Sequence, residues 1–182
     1  MLRLLKITLV ALCSFILPAA ADNAARGPIL VTVSGALTNP SRGPVNPDFD
    51  KFFDYNEVEF SQAASFDYAA LASLTQARIT TDFPQFGDQH EFEGPYLADL
   101  LQLAGATGGT IWLRALDGYA LELPLAALLA QEPILAMKRD GQFFGLGDYG
   151  PLQLVFARGT NPALTDLDDS TWIYSIYHIH VE

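Results

Sequence analysis

Phe92-Glu93-Gly94-Pro95-Tyr96-Leu97-Ala98-Asp99-Leu100-Leu101-Gln102-Leu103-Ala104-Gly105 holds the clearest element of the chain. Leu97, Leu100, Leu101 and Ala104 recur at the spacing that stacks them on one helical face. Pro95 suits the first helical position, where a missing N–H leaves nothing unpaired, and Gly105 supplies the stop. Downstream, Thr110 to Ala115 and Ala120 to Leu123 read as strands joined by Asp117-Gly118, a hairpin signal. Pro124 opens a short helix to about Ala130. Ile134 to Lys138 reads as a buried strand that Asp140-Gly141 turns back on itself. Leu152 to Phe156 reads as another buried strand, and Asn161 to Ser170 as a polar, acidic loop.

The last strand is expected from Thr171 to Val181. Strict alternation would set Trp172, Tyr174, Ile176, His178 and His180 on one face, and Ile173, Ser175, Tyr177, Ile179 and Val181 on the other. Upstream, Ile29 to Gly35 has the β-branched content of a strand. Residues 36–56 form a long Pro/Asn/Gly/Asp-rich loop, expected to be pinned by Phe49, Phe52, Phe53 and Tyr55. Val58 to Ser61 reads as a short strand, Asp67 as the cap of a helix from Tyr68 to Leu74, and Ala77 to Thr81 as a strand. Strands and short helices without a regular βαβ rhythm imply an α+β domain with a mixed sheet.

Residues 1–21 read as a secretory signal. Arg3 and Lys6 precede an apolar run from Ile7 to Leu17, and Pro18 precedes the small residues Ala19-Ala20-Ala21. The run is too short to favour a membrane span. A periplasmic or secreted domain over 22–182 is therefore expected, with no membrane insertion after cleavage. The chain's one cysteine, Cys13, would leave with the signal. The remainder then has no disulfide and no thiolate ligand. The formal charge of −11 becomes −13 once Arg3 and Lys6 are removed. Such a polyanion is unsuited to nucleic acid or anionic lipid.

In order and spacing, several stretches resemble the molybdopterin-binding domain of the sulfite oxidase family, and in particular its small exported relatives. They are Phe92 to Leu97 leading into Asp99-Leu100-Leu101, Ala115 to Ala120 leading into Leu123-Pro124, Ile134-Leu135-Ala136 with Asp140-Gly141, Gly150-Pro151-Leu152, and Trp172 with the closing strand. The resemblance implies the fold of that domain. In that family a cysteine at the end of the strand equivalent to Ala77–Thr81 binds molybdenum. Here Ile79, Thr80 and Thr81 stand in its place, and a hydroxyl is a poor substitute for a thiolate. Cations that often hold the cofactor are replaced by Gln153 and Thr171. The start also lacks the twin arginines with which exported molybdopterin enzymes generally cross folded. The expectation is a domain without cofactor that binds a small-molecule ligand or a periplasmic protein partner. The alternatives are a molybdopterin-dependent oxidoreductase with an atypical metal shell and a metal-binding protein using His178 and His180.

The segments equivalent to the family's cofactor loops supply the candidate cleft. They contribute Thr80, Thr81, Asp82 and Phe83, then Asp117 and Tyr119, then Asp148 and Tyr149. With no thiol or cation nearby, such a cleft would be neutral to acidic and partly aromatic. Tyr55, Phe86, Phe143 and Phe144 also fall in or beside expected loops, where aromatic residues either line a cleft or pin the loop to the core. No catalytic residue is assigned. The sequence lacks a phosphate-binding glycine loop, a nucleophile elbow and a His-Glu-x-x-His helix. Gly145 to Gly150 precedes a strand and so is not a dinucleotide fingerprint. Asp166, Asp168 and Asp169 lack the turn glycine of a calcium loop.

Overall fold

The computed structural model describes residues 27–182. The expected signal over 1–21, with Cys13, lies outside the described residues. Strands β1 (Ile29–Gly35), β2 (Ala63–Asp67), β3 (Gln76–Asp82), β4 (Gln89–Pro95), β5 (Thr110–Ala115), β6 (Ala120–Pro124), β7 (Ile134–Ala136), β8 (Lys138–Arg139), β9 (Gln142–Phe143), β10 (Gln153–Val155) and β11 (Ile176–Val181) alternate with short helices. The helices are α1 (Lys51–Tyr55), α2 (Tyr68–Ser73), α3 (Leu97–Ala104) and α4 (Leu125–Leu129). The chain is thus α+β. A five-stranded mixed sheet has the order β2-β1-β11-β5-β6, in which β1 and β11 are parallel. A four-stranded sheet, β3-β4-β8-β9, and the β10-β7 pair complete the framework. Among the described residues, no helix is long and apolar enough to cross a membrane.

Alternation builds the core. Val31, Val33, Ile111, Leu113, Ile176, Ile179 and Val181 point inward from the five-stranded sheet, and all are buried. They join Leu97, Leu100, Leu101 and Ala104 of α3, and Leu125 and Leu128 of α4, in one hydrophobic cluster. Gly105 ends α3 in the left-handed region, at φ +67°, as a C-terminal glycine does. Asp140 and Gly141 both have positive φ, so the two-residue β8–β9 hairpin takes the twist its flanking strands need. The Asp67 carboxylate caps α2 by accepting the Ala70 N–H at 2.9 Å.

Several expectations are corrected. Pro95 closes β4 opposite Gln76, and Tyr96, in extended conformation, precedes α3. A fixed φ suits a strand end as well as a first helical turn. Gly94 is needed for a different reason: a Cβ there would collide with the Leu135 carbonyl of β7. The strand expected at Val58–Ser61 lies instead at Ala63–Asp67. Residues 134–138 divide into two strands, because Met137 donates to Glu93 O at 2.9 Å between the β10 and β4 pairings. Within the 36–56 loop, Phe52 and Phe53 pack on Tyr177 and His178, whereas Phe49 and Tyr55 are 85% and 82% exposed.

The last strand begins at Ile176, and alternation breaks there. Ile176 pairs with Ala115 but His178 with Arg114, so two residues of β11 oppose one of β5. This bulge shifts Ile176 to the inner face with Ile179 and Val181. His178 and His180 remain on the outer face, opposite Thr32 and Ser34 of β1 and beside Arg114 and Trp112 of β5. Trp172 stands outside the strand altogether. His178 is buried beneath Phe53 and Phe60. Burial first, then His180 and Arg114, lowers its pKa to about 3 from an ordinary 6.5. A histidine depressed on folding stabilises fully above pH 6.5 and loses that contribution as pH falls towards 3. Unfolding free energy is therefore expected to fall by up to about 1.4 kcal/mol per pH unit below 6.5. Urea titrations of wild type and His178→Gln down to about pH 5, above the carboxylate range, should show the slope in the former and a flatter profile in the latter.

Candidate functional site

The site is set by where β3 ends. Along this strand side chains alternate: Thr80 faces solvent and Thr81 is fully buried. The Thr81 hydroxyl accepts the Gly159 N–H at 3.3 Å. Asp82 then meets Arg158, whose Nε donates to Oδ1 at 2.9 Å while Nη2 donates to the Asp82 carbonyl at 2.8 Å. Burial alone would raise the Asp82 carboxyl. The Phe86 N–H and Arg158 outweigh it and hold the group below its ordinary value.

Arg158 is only 5% exposed. Its Nη1 donates to the Leu167 carbonyl at 2.6 Å and to Asp169 Oδ1 at 2.9 Å. The guanidinium lies 4.4 Å from the centre of a Trp172 ring. One cation thus joins the end of β3, the loop before β11, and Trp172. Phe83 stacks on Trp172, with ring centroids 5.5 Å apart and an interplanar angle of 13°. The polar, acidic loop expected over 161–170 makes two 3-10 turns, Pro162–Leu164 and Asp169–Thr171, and delivers Asp169 to this clamp.

Two cavities flank this aromatic group. One, of about 400 Å³, is lined by Phe83, Asp117, Tyr119, Asp169, Trp172 and Tyr174, among others. Tyr119 is positioned from both sides: its N–H donates to Asp117 Oδ1 at 2.9 Å and its hydroxyl to the Ser170 carbonyl at 3.2 Å. The other, of about 670 Å³, is lined by Arg139, Asp140, Phe143, Phe144, Asp148 and Tyr149, with Tyr174 shared. Tyr149 connects the two, 5.8 Å from Phe83 and 5.4 Å from Tyr174 by ring centroids.

Of the expected cleft residues, then, Phe83, Asp117 and Tyr119 meet around one cavity, and Asp148 and Tyr149 line its neighbour. Thr80, Thr81 and Asp82 line neither, because alternation and the Arg158 clamp take their side chains elsewhere. Tyr55 and Phe86 also line neither; Phe86 is 91% exposed. The residue that sequence reasoning passed over is Arg158. A cation was sought at Gln153 and Thr171, whereas the buried guanidinium lies five positions after Gln153. The Gln153 side chain is fully buried, without a hydrogen-bond partner among the described residues.

His178 and His180 do share a face, but a serine stands between them. Ser34 Oγ is 2.8 Å from His178 Nε2 and 2.9 Å from His180 Nδ1. Among the described residues, no group of three or more His, Cys, Asp or Glu side chains is placed to hold a metal ion.

No protein-family model matches the chain, and no curated protein matches it in sequence. Among solved structures it is similar to the sulfane dehydrogenase SoxCD from Paracoccus pantotrophus, with a TM-score of 0.56 and 12% identity. The match covers 84% of this chain and 38% of that one. At this identity the likeness is one of fold. The chain has the α+β fold of the sulfite oxidase molybdopterin-binding domain, the fold its motifs resemble.

The residues present do not fit molybdopterin. The strand end offers two threonine hydroxyls, one of them buried and already bonded, where a soft thiolate is required. Arg158, which bonds the strand end at Asp82, is filled by two carboxylates and two carbonyls. Asp117, at the mouth of the aromatic cavity, adds a negative charge unsuited to a phosphate-bearing group.

Removing Arg158 should expose how much the clamp holds. Stripping one partner from a buried ion pair typically costs about 3–5 kcal/mol. Arg158→Met is expected to lose that much in urea unfolding and to red-shift Trp172 emission. Adding Asp82→Asn should recover part of the loss, since the orphaned charge disappears. A loss for Arg158→Met below about 1 kcal/mol, the worth of a surface pair, would contradict the clamp.

Proposed function

We propose that the chain is a ligand-binding domain on an oxidoreductase fold. It takes an uncharged or cationic, partly aromatic molecule between Phe83, Tyr119, Trp172 and Tyr174, and uses no molybdenum cofactor. With the signal-like residues 1–21, this reading makes it an exported accessory or sensory component of a cell envelope. The observation that carries it is the cavity of about 400 Å³ with aromatic walls and the carboxylate of Asp117, which has no ion-pair partner among the described residues. The volume falls within the range of small-molecule pockets, and aromatic walls with a few placed polar groups are their usual lining. Carboxylates favour a cation beside an aromatic face, where ring quadrupoles add attraction.

A second reading is a protein partner in place of a small molecule. It is favoured by Phe86, Leu146 and Phe143, which are 91%, 80% and 55% exposed. They stand on segments that follow Phe83 in sequence or line the second cavity.

Intrinsic fluorescence separates the ligand classes. The chain has two tryptophans, Trp112 and Trp172, so in Trp112→Phe only Trp172 reports. Benzylamine and benzyl alcohol should shift its emission saturably, and phenyl phosphate should bind most weakly. Tyr119→Ala should weaken both binders. Asp117→Asn should reduce only the preference for benzylamine, by several-fold, as an exposed charge pair is worth about 1 kcal/mol or less. Tightest binding by phenyl phosphate would reverse the assignment.

A further inference from the structure

The outer face of the five-stranded sheet holds a further polar cavity, distinct from the two beside the aromatic group. Residues 57–59 cross this face and leave about 320 Å³ lined by Glu57, Glu59, Trp112, Arg114, His178, His180, Glu182 and Val58. Alternation puts Trp112 and Arg114 of β5 beside His180 and His178 of β11, so the strand pairing itself assembles the lining.

Arg114 is the anomaly. In a chain of formal charge −11, Arg42, Lys51, Arg78, Lys138 and Arg158 each pair with a carboxylate, and Arg139 stacks on Tyr149. Arg114 makes no ion pair, side-chain hydrogen bond or ring contact among the described residues, and its Nε is buried without a partner. A half-buried guanidinium with unfilled donors is a standing demand for an anion.

A second unfilled group lies beside it. His178 is 2% exposed and its Nδ1 has no partner. A serine hydroxyl has one proton, so Ser34 donates to one histidine and accepts from the other. His180 Nε2 lies 3.2 Å from Glu182 Oε1. With His180 neutral and donating there, its Nδ1 accepts from Ser34, and Ser34 accepts from His178 Nε2. The lone pair of His178 Nδ1 is then an unfilled acceptor.

The charges select the ligand class. One arginine faces three carboxylates, Glu57, Glu59 and Glu182. A simple anion would satisfy Arg114 and be repelled three times, and a simple cation would meet Arg114. A compact molecule carrying both charges matches the arrangement. We propose that this cavity binds an α-amino acid or a similar zwitterion, its carboxylate on the Arg114 guanidinium and its ammonium towards Glu57, Glu59 and Glu182. Trp112 and Val58 supply an apolar wall for its side chain. A volume of about 320 Å³ lies at the small end of ligand pockets and suits a single amino acid.

Calorimetric titration of the full chain with L-leucine, isopentylamine and 4-methylpentanoate tests each charge separately. Saturable L-leucine binding is expected, with each half-molecule weaker by about tenfold or more, equivalent to 1.4 kcal/mol. Arg114→Gln should lose L-leucine binding by a similar factor, and Arg114→Lys should retain part of it. Glu59→Gln, at an exposed position, should weaken L-leucine and isopentylamine but not 4-methylpentanoate. Tyr119→Ala, in the aromatic cleft, should leave L-leucine binding unchanged. Thermal melts identify any variant that fails to fold. Equal or tighter binding of 4-methylpentanoate, or no saturable binding of L-leucine by a folded wild type, would overturn the proposal.

Discussion

The buried Arg158 guanidinium is the constraint on which the cleft depends. It is held by two carboxylates and two backbone carbonyls, from β3 and from the loop before β11, and it lies against Trp172. A buried cation is tolerable only when its donors are filled, and here filling them fixes three separated segments relative to one another. Trp172 is thereby held beneath Phe83, and Phe83 beside Tyr149. The aromatic cleft is a by-product of satisfying one charge.

The same clamp decides the chemistry. Asp82 and Asp169 neutralise Arg158, so no free positive charge from it reaches the cavity, and Asp117 stands exposed at the hairpin tip. A fold shared with a dehydrogenase thus presents Asp117 and an aromatic group at this cavity. Fold does not dictate function; the side chains at the strand ends do. On the opposite side of the five-stranded sheet the situation is reversed. There Arg114 is left without a partner while glutamates gather round it, so that the two sites call for different ligands.

Local signals were legible in the sequence where local physics sets the structure. The helix at Leu97–Ala104, the Asp67 cap, the Asp117-Gly118 turn and the Asp140-Gly141 hairpin all follow from short-range rules of periodicity and backbone conformation. Elements decided by tertiary pairing were not. Strand β4, Gln89–Pro95, is polar and breaks off in Gly-Pro; it exists because β3 and β8 flank it. The bulge at Ile176 is invisible to an alternation rule and moves that residue to the other face. Of the residues named from the resembling loops, Phe83, Asp117 and Tyr119 line one cavity and Asp148 and Tyr149 line its neighbour. Thr80, Thr81 and Asp82 line neither, because Arg158, remote in sequence, holds Asp82 and the strand end.

On the proposed reading, the threonine hydroxyls at these strand ends stand where molybdenum would need a thiolate, and the chain carries no molybdenum cofactor. Elemental and pterin analysis of protein purified from its native host tests it directly. Molybdenum and pterin should both be present at trace levels far below one per chain. A stoichiometric amount of either would contradict the account and make the chain a molybdopterin protein with an unconventional ligand set.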